Sequence, residues 1–137
     1  MSGDLTMPDP RPAAWPTTKG TGTHNGAPRK LVEADFIDAL GRADHPYAQL
    51  ASVLLEAYKQ AAFGKGALRH ANELPFPRQR MQSIAQGQGS NAGLIFQVCK
   101  KAQESAGLAY PANNRELQGV IVYAAGAVIF NDWKIKQ

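Results

Sequence analysis

Residues Gly119 to Phe130 read GVIVYAAGAVIF, and the way this run folds decides the class of the whole chain. Its Val-Ile-Val-Tyr opening has the residue types of a strand. A half-buried strand alternates apolar and polar side chains, however, and this run does not. On a helical period, Leu117, Val120, Ile121, Ala124, Ala125, Val128 and Ile129 form one stripe, and Val122, Tyr123, Ala127 and Phe130 carry apolar surface around the rest. A helix apolar on nearly all sides is buried on most of them. The run is well under the roughly 20 residues needed to cross a bilayer. The sequence therefore predicts a central or oligomer-forming helix from Arg115 to about Trp133, capped by Asn113 or Asn114. Gly119 and Gly126, seven residues apart, share a face and let a neighbouring helix come close.

Outward from that helix the chain keeps the same period. Ser90 or Asn91 caps a helix to Ser105, with Leu94, Ile95, Val98 and Ala102 inward and Lys100 and Lys101 outside. A shorter helix spans Arg78 to Gln86, with Met81, Ile84 and Ala85 inward and Arg78, Arg80 and Gln82 outward. From Tyr47 to Phe63 the residues Tyr47, Leu50, Ala51, Leu54, Leu55, Tyr58, Ala61 and Ala62 follow the helical period, after a start at Asp44-His45-Pro46. Arg29 to Gly41 is a short amphipathic helix, with Leu31, Phe36, Ile37 and Leu40 on one stripe and Glu33, Asp35 and Asp38 facing water. Residues 1–28 are rich in Pro, Gly and Thr with few large apolar side chains, so they predict a disordered tail. The expected fold is all-α: a small bundle of about five helices forming a single domain over residues 29–137.

Composition narrows the function classes. One cysteine, Cys99, cannot close an intramolecular disulfide or supply a CxxC zinc site, and it suits a reducing compartment as a small buried hydrophobe. A mean hydropathy of −0.33 and an N-terminus without a basic-then-apolar start predict neither a membrane protein nor a secreted one. The net charge is +4, but its distribution says more. Residues 31–58 carry −4 and residues 59–101 carry +6. A compact anion pocket or a self-complementary assembly fits that polarity better than an extended nucleic-acid track, which needs basic residues along one face.

The basic charge is densest in Gly64 to Met81, GKGALRHANELPFPRQRM, where Lys65, Arg69, His70, Arg78 and Arg80 meet a single acid, Glu73. Gly64 and Gly66 allow positive backbone dihedrals, so that successive N–H groups could turn inward as an anion seat beside Lys65. The triplet follows a helix and lacks the spacing of a P-loop. Arg69 offers a planar fork for phosphate, His70 a donor, and Asn72 an amide able to read a base edge, with Tyr58 available to the base. The expected ligand-binding set is Tyr58, Gly64, Lys65, Gly66, Arg69, His70 and Asn72, with no catalytic residue, metal or cofactor. The expected ligand is a nucleotide or another phosphate-bearing small molecule. Two other classes stay open. A nucleotide-metabolism enzyme would use His70 as acid or base and Glu56 or Glu73 to position a metal or water. A protein-interaction or virion component would use the basic segment and the Pro-rich tail.

The segments GKGALRHAN, PFPRQ, QVCKKAQE and ELQGVIVYAAGAVI give the chain from about Tyr58 to Phe130 a resemblance to small helical bacteriophage proteins, mostly of unassigned function, with a GKGxxRHAN and PFxxQ core. The resemblance implies a phage product acting in the host cytoplasm, where a protein that holds a nucleotide tightly without turning it over would sequester a host immune signalling nucleotide. The helix order also resembles, more distantly, phage nucleotide pyrophosphohydrolases of the MazG kind. Their ExxE helix and paired acids for magnesium are missing, since Glu56 and Glu116 stand alone on their helices.

Overall fold

The computed structural model describes residues 26–71 and 74–137, without the side chains of His70 and Ala71. The tail expected over residues 1–28 falls almost wholly outside the described residues, as do Asn72 and Glu73. Among the described residues the fold is all-α, with five α-helices and no strand: α1 (Arg29–Gly41), α2 (Ala48–Phe63), α3 (Arg80–Gln88), α4 (Ala92–Ala106) and α5 (Ala112–Ile135). A wide π-helical turn (Ala67–Ala71) and a 3-10 turn (Phe76–Arg78) separate α2 from α3. The chain gathers into two compact units, one ending at Ser52 and one from Val53 to Gln137.

In the first unit, buried His45 holds the start of α2 to α1. Its Nε2 lies 2.9 Å from Asp35 Oδ1, and its Nδ1 accepts the backbone N–H of Tyr47 at 3.0 Å. Because an N–H can only donate, Nδ1 is the acceptor, so the ring proton sits on Nε2 and points at Asp35. Asp35, expected to face water, is thus spent on this clasp. The pairs Arg29–Glu33 and Arg42–Asp38 run along α1 at exposed i,i+4 spacing and contribute only a few tenths of a kcal/mol each. Of α1's side chains only Ala39 is buried; Leu31, Phe36, Ile37 and Leu40 remain open to solvent.

In the second unit α4 and α5 form an antiparallel hairpin. Asn91 Nδ2 donates to Asn131 Oδ1 at one end, and Lys101 Nζ donates to Glu116 Oε2 at the other. Ala85, Leu94, Ala127 and Phe130 make the core, with Met81, Tyr123 and Trp133 packed against it. Burying Leu94 and Phe130 contributes about 1.5 to 3 kcal/mol each. Helix α3 crosses the hairpin and ends at Gly89, whose φ of 66° is the left-handed cap a side chain opposes. Lys134 Nζ donates to the Gly89 carbonyl at 2.6 Å, placing a cation on the carbonyl end of α3.

Several faces differ from the sequence expectation. On α5 the buried residues are Gly119, Gly126, Ala127 and Phe130, whereas Leu117, Ala124, Ala125 and Val128 are exposed. The glycine face is taken by α3 and α4 of the same chain: a Cβ on Gly126 would lie 3.4 to 3.6 Å from Gln82, Leu94 and Met81. On α3, Gln82 points inward and is fully buried, while Ile84 faces out. On α4, Ile95, Ala102 and Cys99 face out, and Lys101 is three-quarters covered. Tyr47, just ahead of α2, and the α2 residues Leu50, Leu54 and Tyr58 are exposed as well.

Candidate functional site: a basic cleft

Within the second unit a cleft of about 940 Å³ opens between the C-terminal half of α2 with its following turn and the layer of α3, α4 and α5. The α2 wall presents Glu56, Lys59, Gln60 and Phe63, and the turn adds Lys65 and Arg69. Opposite stand Arg80 and Met81 of α3, Lys101 of α4, and Arg115 and Tyr123 of α5. Phe76 and Tyr110 contribute further aromatic surface. Gln60 Nε2 reaches the Arg115 carbonyl at 3.5 Å, a long contact that leaves the α2 wall lightly held.

The charges are unbalanced. Lys101 Nζ is 3.1 Å from Glu116, and Lys59 is 3.7 Å from Glu56, so both carboxylates among the described cleft residues have a cation beside them. Lys65, Arg69, Arg80 and Arg115 make no ion pair among the described residues. Four uncompensated cations around a concave, partly apolar wall raise a positive potential inside it, and an anion entering replaces water with charge-assisted hydrogen bonds. Lys101 is held more firmly than a surface lysine. Its chain crosses Gly119 so closely that a Cβ there would stand 2.8 Å from Lys101 Cδ, and its Nζ lies 5.9 Å from the centre of the Tyr123 ring.

Of the expected site residues, Gly64, Lys65, Gly66 and Arg69 line the cleft. Tyr58 does not: it is exposed on the other side of α2 from Glu56, Lys59 and Phe63. The side chain of His70, and Asn72, lie outside the described residues. The role of the glycines also changes. Among the described residues only Gly89 has positive φ, so Gly64 and Gly66 do not turn successive N–H groups inward. They are needed because the chain rewinds tightly onto α2, where a Cβ on Gly64 would sit 3.0 Å, and one on Gly66 3.1 Å, from the Gln60 carbonyl oxygen.

Two cations lie outside the basic stretch singled out in the sequence, Lys101, expected to face solvent, and Arg115, expected at a helix start, while Arg80 belongs to that stretch but not to the expected ligand set. For Lys101 a signal existed, since steps of three and four from buried Leu94 pass through Val98 and Lys101. The motif glutamine Gln79 is structural. It is buried, and its Nε2 donates to the Leu74 carbonyl at 3.2 Å, closing the Pro-bracketed turn ahead of α3.

One cluster has the residue types of a metal site: Asp35, Asp38 and His45 offer ligand atoms within 4.8 Å of one another. Its chemistry fits a clasp better. A cation on Nε2 would force the ring proton onto Nδ1, against the Tyr47 N–H, and Asp38 is engaged by Arg42 at 3.1 Å. No helix among the described residues is long and apolar enough to cross a membrane. Compared with known proteins, the chain matches no family model, no curated protein and no solved structure.

Proposed function

We propose that the cleft binds an anionic, nucleotide-like ligand and holds it without chemical turnover. The observation that carries this reading is the set of four cations without an ion pair among the described residues, Lys65, Arg69, Arg80 and Arg115, around a wall that also presents Phe63, Phe76, Tyr110 and Tyr123. Phosphate takes the guanidinium forks, and a base takes the aromatic surface. Both carboxylates among the described cleft residues, Glu56 and Glu116, face lysines, an arrangement that suits binding better than metal-assisted hydrolysis. The resemblance to small bacteriophage proteins supplies the biological setting: an anti-defence protein in the host cytoplasm that sequesters an immune signalling nucleotide, working as a homo-oligomer.

A depletion and recovery assay tests the reading. The protein is mixed with linear and cyclic nucleotides, with and without magnesium, filtered, then denatured, and both fractions are chromatographed. Removal from solution and release intact is the expected result. Recovery as product makes the protein an enzyme, and a nucleotide left free and unchanged sends the search to protein partners.

A further inference from the structure

We infer that a second copy of this chain docks on the outer stripe of α5, the face opposite the glycines. Leu117, Ile121, Ala124, Val128 and Ile135 follow one another at steps of four, three, four and seven, the a/d spacing of a coiled-coil seam. They lie across the helix from Gly119, Gly126 and Phe130, which the chain's own α3 and α4 cover. Leu117 is 45%, Val128 59% and Ile135 84% exposed.

No charged residue stands between Glu116 and Asp132, so this surface can be desolvated without stranding a charge. A helix facing only water normally carries charge on its outer side, and α5 is apolar on both.

The occupant is another α5 because such a seam is complementary to itself: each side chain is a knob for the holes of an identical helix. The alanines at 124 and 125 stand at the middle and let the two axes approach, while Leu117 and Ile135 fill the ends. Docking of a second copy removes Leu117, Val128 and Ile135 from water on both helices at once. The inference is independent of what the cleft binds.

Sedimentation of the full chain from low to high micromolar concentration is the test. The mass should rise from 14.7 kDa toward twice that value. Val128→Ile should behave as the parent, and Val128→Glu should raise the dissociation constant at least tenfold with unchanged helical circular dichroism. In a Cys99→Ser background, a nitroxide on Asp132→Cys, at the rim of the seam, should show dipolar coupling between copies as concentration rises. That measurement decides the matter if Val128→Glu fails to fold. A parent mass of 14.7 kDa throughout, dimerisation of a folded Val128→Glu as strong as the parent's, or an uncoupled label would each overturn the inference.

Discussion

The side chain of Gln82 donates from Nε2 to the carbonyl oxygen of Gly126 at 2.7 Å, in the fully buried contact between α3 and α5. Its other polar atom, Oε1, has no hydrogen-bond partner among the described residues. The Gly126 carbonyl also lies inside α5, where a helical bond is available to it. The glutamine therefore fixes how α3 crosses α5 while leaving one buried acceptor unsatisfied, and such an acceptor costs about 1 to 3 kcal/mol.

Gln82→Met, of similar length and without the orphaned oxygen, should leave stability within about 1 kcal/mol of the parent or raise it. Gln82→Glu, which buries a charge with no cation facing it, should cost more than about 3 kcal/mol. Chemical denaturation of the three proteins measures both differences. A large loss with Met would mean that the Gly126 bond outweighs the stranded oxygen.

Gln82 also shows where the sequence stopped being informative. The class of α5 was legible because nothing in GVIVYAAGAVIF alternates, but its buried face was not. A helix apolar all round offers periodicity no way to choose between the Leu117–Val128 stripe and the Gly119–Phe130 stripe. Residue size decided it: α3 and α4 can approach only where Gly119 and Gly126 leave room. Gln82 read as a surface residue because polarity was the only signal, and its single partner lies 44 positions away in α5. The cleft was half legible for a similar reason. Lys65 and Arg69 stand close together in the sequence, whereas Arg80, Lys101 and Arg115 reach it by tertiary packing.

Gly119→Ala separates stability from binding. The new Cβ meets Lys101 Cδ at 2.8 Å and Cε at 3.1 Å, so the flexible lysine must swing away and leave Glu116. Exchange of glycine for alanine inside a helix contributes up to about 1 kcal/mol, which offsets much of that disturbance. The melting temperature should therefore change little, while affinity for a phosphate-bearing ligand falls several-fold as the Glu116 carboxylate is freed into the cleft. Calorimetry of unfolding and titration calorimetry together check the split.

Removing the clasp should be felt only locally. His45→Ala or Asp35→Ala breaks a hydrogen bond to a carboxylate and should lower the protection of α1 against hydrogen exchange by about 1.5 to 3 kcal/mol. Neither added zinc nor a chelator should shift the melting of the parent, because His45 Nδ1 already accepts the Tyr47 N–H. A zinc-dependent rise of several degrees would restore the Asp35–Asp38–His45 cluster as an ion site.

Within the cleft, the cations should rank by whether a carboxylate already compensates them. Arg69, Arg80 and Arg115 make no ion pair among the described residues, so a bound phosphate gains their full charge-assisted bonds. Alanine at any one of them should weaken binding by about 1.5 to 3 kcal/mol, roughly ten- to a hundredfold in dissociation constant. Lys59 is exposed and pairs loosely with Glu56 at 3.7 Å, so Lys59→Ala should cost less than about 1 kcal/mol. Tyr58→Ala, on the far side of α2, should leave affinity unchanged. Titration calorimetry with one nucleotide across the series, repeated at higher salt, reads the order directly. An affinity indifferent to both Arg80 and Arg115 would show that the ligand is held by the α2 wall and its following turn alone, and that the walls of the cleft do not act together.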